Sequence, residues 1–90
     1  MRVAIKVDGN KKLGLGHVMR CLAVAKQLKK NKIRVIFIIG DNSIKKIIEN
    51  EKFFTYFLDK REQEPKSIKK IIISEKINVI IIDSKKKYIK

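Results

Sequence analysis

Cysteine, histidine and proline each occur once in this 90-residue chain, and glycine only four times. A single cysteine, Cys21, excludes an internal disulfide and fits a reducing compartment. With His17 it leaves too few ligands for a structural zinc site, so no metal is expected. No apolar run approaches the roughly 20 residues needed to cross a bilayer. The amino terminus reads as a strand without the long apolar stretch of a cleavable signal. A soluble, cytoplasmic protein is therefore the expectation. The scarcity of glycine removes two phosphate-binding motifs. No G-x-x-x-x-G-K-[ST] occurs, and a dinucleotide fingerprint starting at Gly14 and Gly16 fails because Met19 holds the third glycine position. Gly9 lies too far upstream to restore the register. Ser43, Ser67, Ser74 and Ser84 show no nucleophile elbow, and no cofactor is expected.

Acids are also few. Nine Asp and Glu oppose 23 Lys and Arg, giving a formal charge of +14. Clustered, such charge would neutralise phosphates and release counterions. Here it is scattered over segments that read as solvated helix faces and loops, beside a comparable abundance of isoleucine. That composition fits an AT-rich genome better than a binding surface. Lys85-Lys86-Lys87 is the one dense cluster, and it lacks the interleaved aromatics that would stack single-stranded bases. A basic nucleic-acid-binding module stays as an alternative, and nucleic acid is disfavoured as the partner.

What is abundant is periodic apolar sequence. Val3 to Val7 reads as a short, largely buried strand, and Val18, Cys21, Leu22, Ala25 and Leu28 then recur on one helical face. On that face Cys21 is expected to pack as a small hydrophobe. Ile33 to Gly40 is an almost unbroken β-branched and aromatic run, the signature of a strand covered on both faces. Asp41, Asn42 and Ser43 supply capping side chains for a short helix with an Ile44, Ile47 and Ile48 stripe. Phe53 to Leu58 reads as a third strand. Pro65 fits the first turn of a further helix bearing Ile68, Ile71 and Ile72, and Val79 to Asp83 reads as a fourth strand. The order βαβαβαβ predicts right-handed crossovers and a Rossmann-like α/β parallel sheet of strand order 3-2-1-4. Residues 1–84 form that domain and 85–90 a basic tail. In this order the chain reverses direction between the first and fourth strands, which opens a crevice at their carboxyl ends. Asp8 and Asp83 both terminate strands there.

Between the first strand and its helix lies the loop most suited to chemistry. Gly14 and Gly16 permit tight backbone and close ligand approach, and the helix that follows offers unpaired N–H groups and a positive dipole end to anions. The plain structural reading is a turn that lets the helix pack tightly on the sheet. His17 sits at the helix entrance, off the buried stripe. The dipole disfavours a second positive charge there, so an uncharged imidazole able to accept a proton is expected, as a general base requires. Asp8 or Asp83 would orient the ring or hold a substrate hydroxyl, and either is equally a turn cap. Asp41 stands where a ribose-binding acid belongs in a dinucleotide-binding half-domain, although capping the second helix is the favoured role.

Asp8, the pair Gly14 and Gly16, the unbroken Gly16-His17-Val18-Met19-Arg20-Cys21-Leu22 and the strand ending in Asp83-Ser84 resemble one family. It is that of the UDP-2,4-diacetamido-2,4,6-trideoxy-β-L-altropyranose hydrolases of pseudaminic acid biosynthesis. Spore-coat polysaccharide biosynthesis proteins are similar. The resemblance implies the amino-terminal part of a GT-B-like, two-domain hydrolase, with uridine diphosphate held mainly by the other domain and water directed onto the anomeric carbon. It implies His17 as the base, Gly14 and Gly16 near the diphosphate, Asp8 lining the sugar pocket, Arg20 supporting the loop or facing an acidic group, and Asp83 as a substrate or orienting contact. A transferase on the same scaffold is the alternative. Relatives commonly continue the fourth strand as Asp-x-Tyr, whereas Lys85 stands at the tyrosine position and Tyr88 follows three residues later. The chain ends at Lys90, so a carboxyl-terminal domain or separate chain is the expected partner besides the UDP-sugar. Negligible hydrolysis is expected without it.

Overall fold

Residues 35–39 are buried along their whole length, as a strand must be when it has neighbours on both sides and helices on both faces. The computed structural model describes residues 1–7, 15–58 and 64–83. Within them, β1 (Arg2–Val7), α1 (Gly16–Lys30), β2 (Arg34–Ile39), α2 (Asn42–Asn50), β3 (Phe54–Phe57), α3 (Glu64–Ser74) and β4 (Val79–Asp83) follow one another in strict alternation. The sheet is parallel throughout, in the order β3-β2-β1-β4. This is the α/β topology expected from the pattern, with strand ends within about two residues of those read from sequence.

Strand alternation sorts the side chains into two layers. Val3, Ile5 and Val7 of β1 join Val35, Phe37 and Ile39 of β2 under Val18, Cys21, Leu22 and Ala25 of α1 and Ile44 and Ile48 of α2. Phe53 closes this layer, its ring meeting Phe37 edge-on with centroids 5.4 Å apart. Each fully buried Ile, Leu or Phe there stabilises the fold by about 1.5–3 kcal/mol. The opposite layer is thinner, with Ala4, Ile36 and Ile38 packed beneath Ile71 of α3 and flanked by Tyr56 and Ile80.

Two ties fix the amino end of the sheet. The Arg2 backbone N–H donates to Asn78 Oδ1 at 2.8 Å while Asn78 N donates back to Arg2 O at 2.9 Å. The Arg2 guanidinium adds a bond to Glu75 O at 2.8 Å. Together they hold the α3–β4 turn against the start of β1.

Among the described residues, one basic side chain departs from the expectation that Lys and Arg lie on solvated surfaces. Lys6 is 3% exposed, because the alternation of β1 turns it with Ala4 toward the α3 layer. It sits near the carboxyl end of a strand paired on both sides, beside Ile38 of β2 and Ile82 of β4, and it has an interaction partner there.

Candidate functional site

The junction of β1 and β4 is where the strand order reverses, and Val7 and Asp83 are in register at its carboxyl end. Asp83 closes β4 as expected, which brings its backbone beside the last residue of β1. Asp8 and Gly14, the other loop positions singled out from sequence, lie outside the described residues, as do Ser84, Tyr88 and the basic tail 85–90.

The start of α1 lies just beyond that junction. Leu15 is its N-cap residue at φ −102° and ψ 4°, and it offers no side-chain oxygen to the first-turn N–H groups. Its side chain instead packs against the α1–α2 layer, and its carbonyl accepts the first helical bond, from Met19 N at 2.9 Å. No acid occupies the first turn. Among the described residues, that turn supplies no carboxylate to offset the positive end of the helix dipole.

Gly16 opens the helix without a left-handed φ, and a Cβ built on it would meet no described atom within 4 Å. Neither tight backbone nor close helix–sheet packing requires glycine here. Among the described residues the space over Gly16 is open to a ligand.

His17 and Arg20 stand one turn apart on α1, so they share a face. Arg20 Nη2 lies 2.7 Å from His17 Nδ1. A guanidinium has donors only, so in this contact Nδ1 is the acceptor. The lone pair that a base would use thus faces Arg20. Arg20 also borders an apolar groove of about 240 Å³ whose walls include Ile5, Cys21, Val24, Ile81 and Ile82. This groove exists because α1 packs over β1 and β2 and leaves the same face of β4 uncovered. Cys21 lines it but is itself only 4% exposed, in keeping with the packing role read from its stripe.

Asp41 resolves differently from a ribose-binding acid. It is the N-cap of α2, and its Oδ1 accepts from Ser43 N at 2.7 Å. The capping role favoured from sequence is the one observed.

No protein-family model, curated protein or solved structure matches this chain.

The described residues contain no group of three or more His, Cys, Asp or Glu side chains placed to hold a metal ion, and no helix among them is long and apolar enough to cross a membrane. The structure places Gly16, His17 and Arg20 in the first turns of α1, and sequence reasoning did not foresee the His17–Arg20 contact. It missed Lys6, although a lysine inside an otherwise apolar strand was itself a signal. It also missed Ser67, which is buried on α3 at 5% exposure within a stripe read as isoleucine alone.

Proposed function

We propose that this chain carries the histidine-bearing part of a nucleotide-sugar hydrolase that releases UDP from a deoxy-diacetamido sugar of the pseudaminic acid type. In this reading it is a partial amino-terminal domain of a GT-B-like enzyme, acts in the cytoplasm, and is completed by a domain or chain that binds uridine diphosphate. The observation that carries the proposal is the His17–Arg20 contact at an uncapped helix start beside the strand-order reversal.

The contact supports a defined sequence of events. Arg20 is exposed, and a diphosphate is a stronger partner for a guanidinium than a neutral imidazole, because both partners are charged. Substrate would draw Arg20 toward its phosphates and uncover Nδ1. Nδ1 then takes a proton from water as the water oxygen bonds to the anomeric carbon. The bond from that carbon to the diphosphate oxygen breaks, and UDP leaves with the electron pair. Gly16 leaves room for the approach, with Gly14, Asp8 and Asp83 lining the substrate as the resemblance implies.

Nitrogen-15 NMR of the His17 ring and the first-turn amides, with UDP-N-acetylglucosamine added to millimolar concentration, tests this. In the free chain Nδ1 is expected to be unprotonated and hydrogen-bonded. Nucleotide sugar should move the amides of Gly16 and His17 and return Nδ1 to the signature of the Arg20→Ala variant. A ring that carries its proton on Nδ1 in the free chain, or an Nδ1 that stays bonded to Arg20 when nucleotide sugar moves the first-turn amides, would sink the proposal.

A further inference from the structure

At the opposite end of the sheet, Phe54 is the most exposed aromatic ring among the described residues, at 68%. It opens the edge strand β3, in register with Ile36 of β2. It therefore points to the α3 side of the sheet, where α3 packs over Ala4, Ile36 and Ile38 and leaves Phe54 bare. Arg34, two residues before Ile36 on β2, is its diagonal neighbour on that face. Lys52 precedes the strand, and Lys29 enters from the last turn of α1.

These side chains border one groove of about 170 Å³, lined by Lys29, Arg34, Lys52, Phe53 and Phe54 among others. A second hollow of about 240 Å³ continues it past Lys52, Phe53 and Phe54 to Glu49. Lys29 Nζ stands 5.3 Å from the Phe53 ring centre. Among the described residues Glu51 pairs with Lys26 at 3.2 Å, Glu75 accepts from Tyr56, and Glu49 accepts from the neutral hydroxyl of Thr55 at 3.4 Å and keeps its charge. Lys29, Arg34 and Lys52 outnumber that one carboxylate in the lining of the two hollows beside an uncovered ring. Residues from three separate segments converge here, so the patch has no counterpart in any local run of sequence.

We propose that this end of β2 and β3 binds single-stranded nucleic acid, with one base stacked on Phe54 and the flanking phosphates on Arg34, Lys52 and Lys29. Such a strand presents both complementary parts, a π-face for the ring and successive phosphates for the cations. A duplex hides its base faces, and an acidic peptide uses the cations but leaves the ring unpartnered. The site lies at the amino ends of the strands and is separate from His17 at the carboxyl ends.

Fluorescence anisotropy with a labelled oligothymidylate of about 12 nucleotides tests the assignment. Because a chain of charge +14 binds any polyanion to some degree, the informative variants change the ring and the charges separately. Phe54→Ala and Phe54→Leu are each expected to weaken binding about 5- to 150-fold, with the salt slope unchanged. Phe54→Leu keeps an apolar side chain on β3, so loss in both variants reads the ring and not the fold. The pair Arg34→Gln with Lys52→Gln should reduce the slope of log affinity against log salt by about 1.4. The exposed pair Lys66→Gln with Lys69→Gln on α3 should change it less, and heparin, a polyanion without bases, should bind both Phe54 variants as it binds the parent chain. The proposal fails if either Phe54 variant retains full affinity for oligothymidylate. It also fails if heparin or polyglutamate shows the same dependence on Phe54, or if the α3 pair matters as much as Arg34 and Lys52.

Discussion

A phenol that donates its proton to a carboxylate resists losing it. Tyr56 of β3 donates from its hydroxyl to Glu75 Oε1 at 2.7 Å. This bond, then burial, then the negative charge of Glu75 hold Tyr56 above its ordinary value of 10.0, against a smaller opposing effect of Arg34. Since the folded value lies above the unfolded one, the stabilisation is fully present below about pH 10 and is lost as pH rises through the folded value. Replacing Tyr56 by Phe should cost on the order of 1 kcal/mol at neutral pH. Urea midpoints measured from about pH 8 to 11 should then fall less steeply for Tyr56→Phe than for the parent chain, the lysine titrations being common to both. Parallel curves would show that the bond contributes nothing. Sequence could not pair these residues, which are 19 positions apart on different elements. The His17–Arg20 contact was within reach because three residues along a helix is one turn.

At the level of elements, all three described helices are followed by a lysine at positive φ, and α1 and α3 close with the same pair of hydrogen bonds. Lys32, Lys52 and Lys76 all adopt positive φ, at 61°, 65° and 53°, and each is followed by an apolar residue, Ile33, Phe53 or Ile77. After α1, Lys32 N bonds to Lys29 O and Ile33 N to Leu28 O, both at 3.0 Å. After α3, Lys76 N bonds to Ile73 O at 3.3 Å and Ile77 N to Ile72 O at 3.0 Å. These are Schellman caps built without glycine. The cationic side chains suit helix carboxyl ends, but a Cβ at positive φ is strained. Lys32→Gly and Lys76→Gly should each therefore stabilise the chain by about 0.5–1 kcal/mol, the relief of strain exceeding glycine's extra unfolded-state entropy. The reverse holds at the other kind of helix end, where Asp41→Ala removes the α2 cap and should cost about 1 kcal/mol. Thermal or urea melts decide both, and a loss of stability in the glycine variants would show that the lysine heads matter more than the backbone. Apolar periodicity made the elements themselves legible, because burial stripes are local in sequence. The helix stops were harder to read, because the usual glycine signal is replaced by lysine.

For the molecule as a whole, the strand order was legible because right-handed crossovers leave few arrangements of four parallel strands. What alternation could not reveal is how far each helix reaches sideways. α1 and α2 cover β1, β2 and part of β3, and among the described residues β4 is an edge strand, with Val79 at 44%, Ile81 at 36% and Ile82 at 52% exposure. This strand lacks the lysine or proline that commonly guards an edge, in a chain otherwise rich in lysine. Two opposed forces then set its behaviour: unpaired backbone and exposed isoleucine favour association, while like charges of +14 on each copy oppose it. Repulsion between exposed charges is screened within about 10 Å at 0.1 M salt and about 3 Å at 1 M, whereas edge pairing and apolar contact are not. Sedimentation velocity should accordingly show a monomer at low salt and growing association as salt is raised. Ile82→Lys, which adds a guard on an exposed position, should suppress that association at every salt concentration without altering the far-ultraviolet circular dichroism. Association that weakens with salt would instead mark a contact made by charge, and its persistence in Ile82→Lys would move the interface away from β4.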